Sequence, residues 1–247
     1  MKDLLDLETG AVLRVYKPYT WTSFDVTKKI QRLVLRKLSK MPKPKDGIKR
    51  KVKVGHAGTL DPLATGLLIV CIGKETKNID QYMGMPKTYT GSFYLGAYRP
   101  SFDKETEVTE TFSIEAITED MIYAAAQKLT GALSQIPPLF SAIQKDGKRA
   151  YEYARAGVDM ELPARNVLVH SFEITSISLP LVSFKITCSK GTYIRSLARD
   201  FGKILHNAAY LDSLCRTEIG NFTLNEAFTL DELAETFGEE LSWRKKN

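Results

Sequence analysis

Residues 55–66 read GHAGTLDPLATG, and the apolar run LLIVCIG follows at 67–73. Three glycines and a proline within twelve residues indicate a tight turn, and a short continuous apolar run is typical of a buried strand. The turn also carries His56 and Asp61. An aspartate before a proline is usually structural, because its side chain accepts hydrogen bonds from nearby backbone N–H groups. Two interpretations therefore stay open at this point, a structural turn and a catalytic carboxylate.

The glycine-rich turn does not match the common nucleotide-binding motifs. A P-loop places a lysine directly after its last glycine, and a dinucleotide fingerprint follows a strand and opens a helix. Here the order is reversed, since the turn precedes the strand. The sequence also lacks the G-x-S-x-G signature of serine hydrolases. Chemistry in this turn would have to come from Asp61, and a cationic partner would be needed to keep that carboxylate ionised in a pocket.

Elements on both sides of the turn favour an α+β protein. The pattern predicts a strand at 11–15 and a helix that begins at Thr22 or Ser23 and continues to about residue 38. Residues 87–96 alternate between apolar and polar side chains, as a half-buried strand does. Further elements are expected as helices at 74–83, 118–131, 194–205 and 230–242 and as strands at 166–179 and 181–189. Because several strands follow one another directly, we predict a mixed, largely antiparallel sheet flanked by helices in one domain, 1–247.

Positive charge is concentrated in residues 36–53, RKLSKMPKPKDGIKRKVK. This segment has nine Lys or Arg residues and one acid, whereas the net charge of the whole chain is only +6. The protein is thus predicted to carry one basic patch on a nearly neutral body. Such a segment is either a solvated loop or a phosphate-binding surface. Its position directly before the Asp61 turn favours a polyanionic substrate, and the side chains expected to contact an RNA backbone are Lys43, Lys45, Lys49, Arg50, Lys51 and Lys53.

Composition excludes several other classes of protein. No apolar run approaches the length of a membrane span, and the first ten residues lack the features of a secretory signal, so a cytoplasmic protein is expected. Three widely spaced cysteines do not form a disulfide framework. No Cys/His pair has the spacing of zinc ligands, and no metal or cofactor is expected. Cys71 and Cys188, in apolar runs, are predicted to be core residues.

Two residues outside the turn are candidates for the same chemistry. Arg195 lies in KGTYIRSLARD, where a predicted strand turns into a helix, and it could supply the cation that Asp61 needs; a surface ion pair is the alternative. Tyr89 lies on the apolar side of the strand at 87–96. It could be a core residue, or it could stack on a nucleobase at the rim of the sheet.

Four stretches together resemble the bacterial tRNA pseudouridine synthases that modify uridine 55 in the T-loop. They are GHAGTLDPLATGLLIVCIGKETK, KTYTGSFYLG, IPPLFSAIQKDGKRAYEYARAG and CSKGTYIRSLARDFG, in family order between about residues 11 and 230. The resemblance implies the pseudouridine synthase fold, with an active-site cleft across the sheet. It also implies a cofactor-independent isomerase that acts on a flipped-out uridine in the T-arm of tRNA, with no guide RNA or protein partner, as a monomer. A tRNA-folding chaperone activity is expected to be compatible with this function.

The resemblance assigns roles to matching positions. Asp61 corresponds to the catalytic aspartate, Arg195 to the arginine that pairs with it, and Tyr89 to the tyrosine that stacks on the target base and takes part in proton transfer. His56 matches a residue that contacts the RNA. The remaining matches are Tyr193 and Leu211, which line the base pocket, and Lys17, in a Lys-Pro pair near the site.

The chain also departs from the family pattern. Tyr16 replaces an acidic or amide residue, Ala57 replaces the usual Thr, and only Asp103 matches the acids expected after the Tyr89 strand. The basic segment 36–53 is longer than its counterpart in familiar members, and we expect no C-terminal PUA domain. Two rival functions stay open, a non-catalytic RNA chaperone and a synthase for another RNA.

Overall fold

A computed structural model describes residues 10–40, 51–141, 143–145, 147–158, 160 and 162–238. Its helices are α1 (Ser23–Ser39), α2 (Ile79–Gly84), α3 (Glu119–Lys128), α4 (Ala150–Arg155), α5 (Ile194–Ile204) and α6 (Leu230–Thr236). Its strands are β1 (Ala11–Lys17), β2 (Val54–His56), β3 (Thr65–Ile72), β4 (Lys87–Leu95), β5 (Ala97–Tyr98), β6 (Glu110–Thr111), β7 (Gly131–Gln135), β8 (Gln144–Lys145), β9 (Lys148–Arg149), β10 (Arg165–Ser178), β11 (Leu181–Cys188), β12 (Ala209–Ile219) and β13 (Phe222–Thr223). The chain divides into two compact units, residues 1–85 with 215–247 and residues 86–214.

The first unit is built around β3, whose apolar side chains are buried on both faces. β1 and β2 pair with β3 in antiparallel fashion, and the end of β12 pairs with it in parallel at Cys215 and Arg216. On one face, Leu68 and Val70 pack with Val26, Ile30 and the other buried residues of α1, α6 and β1. On the other face, a smaller apolar cluster forms around Leu67 and Ile69. Burial on both faces explains why this strand reads as an uninterrupted apolar run.

Helix α1 begins where the sequence predicts. Thr22 is its N-cap and forms a capping box with Asp25, in which each side chain accepts a hydrogen bond from the other residue's backbone N–H. Its buried residues form the apolar face of the helix, which packs against the core. The helix therefore has one buried face and one solvent-facing side.

The second unit holds an antiparallel sheet in the order β4-β11-β10-β7, with the first part of β12 beside β4. An aromatic cluster forms its core, in which the rings of Phe93, Phe172, Phe184 and Phe201 lie 4.4–6.1 Å apart. Phe201 belongs to α5, so the cluster fixes that helix against the sheet.

The predicted α+β class with a mixed, largely antiparallel sheet is confirmed. The observed elements differ from expectation in several details. Residues 73–78 form a 3₁₀ turn before α2, and β12 was not predicted. The supposedly open side of β4 is partly covered, since Thr88 and Ser92 are buried and hydrogen-bonded to Thr187 and Ser213 on the flanking strands. The last helix ends at Thr236, with Phe237 as its C-cap, and is therefore shorter than the predicted 230–242. Residues 239–247 lie outside the described part of the chain.

Both cysteines predicted to be core residues are buried. Burial raises the pKa of the Cys71 and Cys188 thiols to about 11, which keeps them protonated and unreactive. Within the described ranges, no helix combines the length and apolar character that crossing a bilayer requires.

Candidate functional site

The Asp61 turn is an ordered loop tied to the sheet at both ends. The Ala57 N–H donates to the Ile69 carbonyl at 2.9 Å, and the Ala64 N–H closes the turn on the Asp61 carbonyl at 3.1 Å. Gly66 adopts φ +108°, and a Cβ there would lie 2.3 Å from the Arg216 carbonyl oxygen, so no other residue fits. Ala57 packs fully buried in the apolar cluster of β3, which accounts for an apolar side chain where the family pattern has Thr.

Lys17 holds the turn from the side of β1. Its side chain is fully buried, and Nζ donates to the carbonyls of Trp21 at 2.6 Å, Pro18 at 3.0 Å and Pro62 at 3.2 Å. Burial lowers the pKa of Lys17 to about 8, while the nearby Asp61 carboxylate partly opposes this shift. The structure thus places the Lys-Pro pair next to the Asp61 turn, as the resemblance implied.

Arg216 holds the same turn from β12. It is 1% exposed, and it donates from Nε to the Leu67 carbonyl at 2.8 Å and from Nη2 to the Gly58 carbonyl at 3.1 Å. Sequence reasoning missed this residue. The available signal was an arginine at an inward position of the stretch AYLDSLCRTEI, since a charged side chain facing a core usually has a specific partner.

His56 lies at the start of the turn on β2. Its Nδ1 atom is buried and has no hydrogen-bond partner among the described residues. Burial, reinforced by the positive charge of Arg216, lowers the pKa of His56. A neutral imidazole here can exchange hydrogen bonds with a ligand but cannot act as a cation toward phosphate.

In the second unit, Arg195 occupies a buried site in the first turn of α5. Its guanidinium donates to the carbonyls of Phe140 at 2.9 Å and Ser101 at 3.3 Å, and Nε lies 3.5 Å from Asp103 Oδ2. Asp103 is itself buried and accepts a hydrogen bond from the Glu105 N–H. Asp103 therefore forms a buried ion pair with Arg195.

The same unit positions the other predicted base-pocket residues. Buried Gln135 clamps Tyr193 by accepting from its N–H at 2.8 Å and donating to its carbonyl at 3.2 Å. Leu211, also buried, donates its N–H to the Phe102 carbonyl at 2.9 Å. Tyr89 lies on β4 opposite Ile186 and is 9% exposed, so most of its ring is covered.

The structure thus brings Lys17, His56 and Asp61 together in the first unit. In the second, the loop that contains Ser101, Phe102 and Asp103 contacts both Arg195 and Leu211. The pairing of Asp61 with Arg195 would join residues of the two units, and it stays a prediction.

Of the basic side chains proposed to contact RNA, Lys51 and Lys53 are exposed. Lys43, Lys45, Lys49 and Arg50 lie outside the described residues. The described part of the chain contains no group of three or more His, Cys, Asp or Glu side chains that could hold a metal ion.

Comparison with known proteins identifies close relatives over most of the chain. The family model described as TruB family pseudouridylate synthase (N terminal domain) matches residues 45–194. A protein of Flavobacterium johnsoniae named tRNA pseudouridine synthase B is 47% identical over 227 residues, which cover 92% of this chain and 96% of that one. A protein of the same name from Phocaeicola vulgatus is 44% identical and covers 94% of both chains.

Solved structures agree on the fold. A Cbf5-Nop10-Gar1 complex contains a chain that matches with a TM-score of 0.66 and 26% identity. The archaeal box H/ACA sRNP Nop10-Cbf5 complex matches with a TM-score of 0.64 and 24% identity. Each match covers 97% of this chain but only 59% and 56% of the respective neighbour, so the chain spans less than two thirds of their length.

Proposed function

This chain belongs to the TruB family of pseudouridylate synthases, and on that premise we propose that it isomerises uridine 55 in the T-loop of tRNA with Asp61 as nucleophile. The enzyme is a pseudouridine synthase, which is an isomerase. Relatives with 40–47% sequence identity to it are named tRNA pseudouridine synthase B. We expect it to work in the cytoplasm as a monomer, without a guide RNA or a protein partner.

The observation that carries the proposal is the fixed position of Asp61. Lys17 binds the carbonyl of the next residue, Pro62, and Arg216 binds that of Gly58. Two buried cations therefore hold the turn that carries Asp61, and one of them, Lys17, interacts electrostatically with the Asp61 carboxylate. A structural Asp-Pro turn would not require two desolvated cations, whose burial is costly.

The reaction requires access to a base that is normally stacked. The target uridine must leave its loop, which costs a few kcal/mol, and stacking on Tyr89 can offset part of that cost. The bond between the ribose and N1 of the base then breaks, the base rotates, and a bond forms between the ribose carbon and C5 of the base. C5 gives up its proton and N1 gains one, so the product is an isomer of uridine. The isomerisation has no net oxidation or reduction.

Asp61 is suited to this chemistry as an ionised nucleophile. Attack at the ribose, attack after elimination and attack at the base all use the same carboxylate. In this proposal Arg195 keeps Asp61 charged in a site from which water is excluded, and Asp103 holds Arg195 in place. Tyr193 and Leu211 line the base pocket, and His56 contacts the RNA.

The test is to incubate the protein with a T-arm RNA and with full tRNA and to map pseudouridine by chemical labelling. We expect one product, at uridine 55, and none when that position is cytidine. Asp61→Asn should abolish turnover while tRNA binding is retained, whereas the control Asp80→Asn, at an exposed aspartate of α2, should react normally. Turnover by purified Asp61→Asn, or product at another position only, would refute the proposal. A tRNA-folding activity needs binding but not Asp61, so it should survive in Asp61→Asn.

A further inference from the structure

Helix α1 carries a row of exposed side chains on its solvent-facing side. Phe24, Lys28, Arg32, Arg36 and Lys40, the last at the C-cap, follow one another at four-residue spacing and are all exposed. Residues four apart lie on the same side of a helix, so the row is one surface about 24 Å long. We call these five residues the α1 stripe.

The composition of the α1 stripe is unfavourable for the helix itself. Like charges at four-residue spacing repel each other, and Asp25 is the only acidic residue in α1. The hydrophobic face of α1 is already satisfied by packing in the core. The helix dipole favours Arg36 and Lys40 at the C-terminal end of α1. It does not account for Lys28 and Arg32, which lie nearer the other end, whereas a bound polyanion would account for the whole row.

The α1 stripe begins with an exposed aromatic ring. Phe24 is 61% exposed, and Lys28 Nζ lies 5.0 Å from the centre of its ring. A large apolar side chain that is this exposed next to a cation is typical of surfaces that bind single-stranded nucleic acid, where rings stack on bases and cations contact phosphates. Tyr19, 50% exposed, is a second ring at the same end of the helix.

This end of the helix is attached to the Asp61 turn. Ser23, the residue before Phe24, accepts a hydrogen bond from the Leu60 N–H at 2.9 Å through Oγ. Next to Tyr19, the Thr20 N–H donates to the Pro62 carbonyl at 2.9 Å. The aromatic end of the α1 stripe is thus fixed within a few residues of Asp61, and its cations extend away from it.

We propose that the α1 stripe binds the RNA strand that leaves the Asp61 turn, with Phe24 stacked on an unpaired base and Lys28, Arg32, Arg36 and Lys40 on successive phosphates. This inference rests on the proposed function, since it assigns a surface for the same substrate. Anionic membrane is the other polyanionic surface that a basic helix can bind. Such a helix inserts an apolar face, but the apolar face of α1 is buried in the protein core.

The test measures RNA affinity as a function of salt in the Asp61→Asn background, where turnover cannot affect the result. Replacing both Lys28 and Arg32 with Gln should lower the slope of log K against log salt by about 1.4 to 1.8, the value for two phosphate contacts. The matched control replaces Lys74 and Lys128, two exposed lysines elsewhere, and should keep the original slope. All of these side chains are exposed, so folding should be little affected.

Variants of Phe24 test the contribution of base stacking separately from that of charge. Phe24→Ala should weaken RNA binding roughly tenfold without changing the salt slope, and Phe24→Tyr should restore most of the affinity because it keeps the ring. With Asp61 intact, Phe24→Ala should have the same saturated single-turnover rate as the native protein. The RNA concentration that gives half of this rate should be higher.

Two results would overturn the inference. One is an unchanged slope and affinity in the stripe variants; the other is loss of binding to phosphatidylserine vesicles with RNA binding intact, which would assign the surface to a membrane. Failure of the proposed function would look different, because the native protein would then form no pseudouridine at position 55 whatever the binding variants do.

Discussion

The Asp61 turn of the first unit and the Arg195 site of the second both fix one functional side chain, but they do so by opposite means. In the first, two buried cations, Lys17 and Arg216, bind backbone carbonyls around a carboxylate. In the second, a buried carboxylate, Asp103, and two carbonyls bind a cation. A carboxylate can thus be positioned through its backbone, whereas a guanidinium, at the end of a long side chain, has to be held directly.

Breaking the ion pair of the second unit should have the largest effect. Asp103→Asn removes the buried carboxylate that forms an ion pair with Arg195, so we expect a loss of about 3–5 kcal/mol in the free energy of unfolding, measured by urea denaturation. The saturated rate should also fall because Arg195 is no longer held in place. The control is Glu105→Gln, in the same loop as Asp103, which removes the ion pair between Glu105 and the exposed Arg155. Equal losses of stability in the two variants would show that burial of the Asp103–Arg195 pair is unimportant.

Removing a cation from the first unit should cost less. Arg216→Met preserves much of the buried volume but removes the hydrogen bonds that Arg216 donates to the carbonyls of Gly58 and Leu67. We expect a loss of about 2–4 kcal/mol in urea denaturation and a lower single-turnover rate, because the Asp61 turn loses one support. If the stability fell but the rate did not, Arg216 would support the fold rather than position Asp61.

The pH dependence tests Lys17 without removing it. The pKa of Lys17 is lowered from 10.5 to about 8 in the folded protein, so below pH 8 both folded and unfolded chains carry the proton. Above pH 8 the unfolded chain binds more protons, and the contribution of Lys17 to the free energy of unfolding should rise, by about 1 kcal/mol between pH 8 and pH 9. The measurement is the difference in stability between the native protein and Lys17→Met at both pH values. A difference that does not change with pH would mean that Lys17 is not desolvated.

The smallest effect is expected at an exposed ion pair of the first unit. Arg14 Nη1 lies 3.1 Å from Glu226 Oε2, but both side chains are substantially exposed. Arg14→Gln should change the free energy of unfolding by less than about 1 kcal/mol, with an unchanged reaction rate. A loss comparable to that of Arg216→Met would remove the distinction drawn between buried and exposed cations.

Local patterns predicted much of this molecule. The capping residue Thr22, the apolar run of β3 and the glycines of the Asp61 turn all act on neighbours within a few residues, so their effects can be inferred from a short stretch of sequence. The role of Arg216 could not be inferred in this way, because Arg216 reaches its carbonyl partners only when β12 pairs with β3. The sequence predicts Asp103 only as an acid at an expected position, because its ion pair with Arg195 joins residues 92 positions apart.

By itself, the sequence predicted five of the six described helices, the strands β1, β3, β4, β10 and β11, the α+β class and the identity of the candidate residues Asp61, Tyr89 and Arg195. Only the tertiary structure decided how the Asp61 turn and Arg195 are held, since Arg216 meets Gly58 across 158 positions and Arg195 meets Ser101 across 94. The physical reason is desolvation. A helix cap or a turn is stable through local hydrogen bonds, but a charge can be buried only where distant parts of the chain supply partners that replace its water.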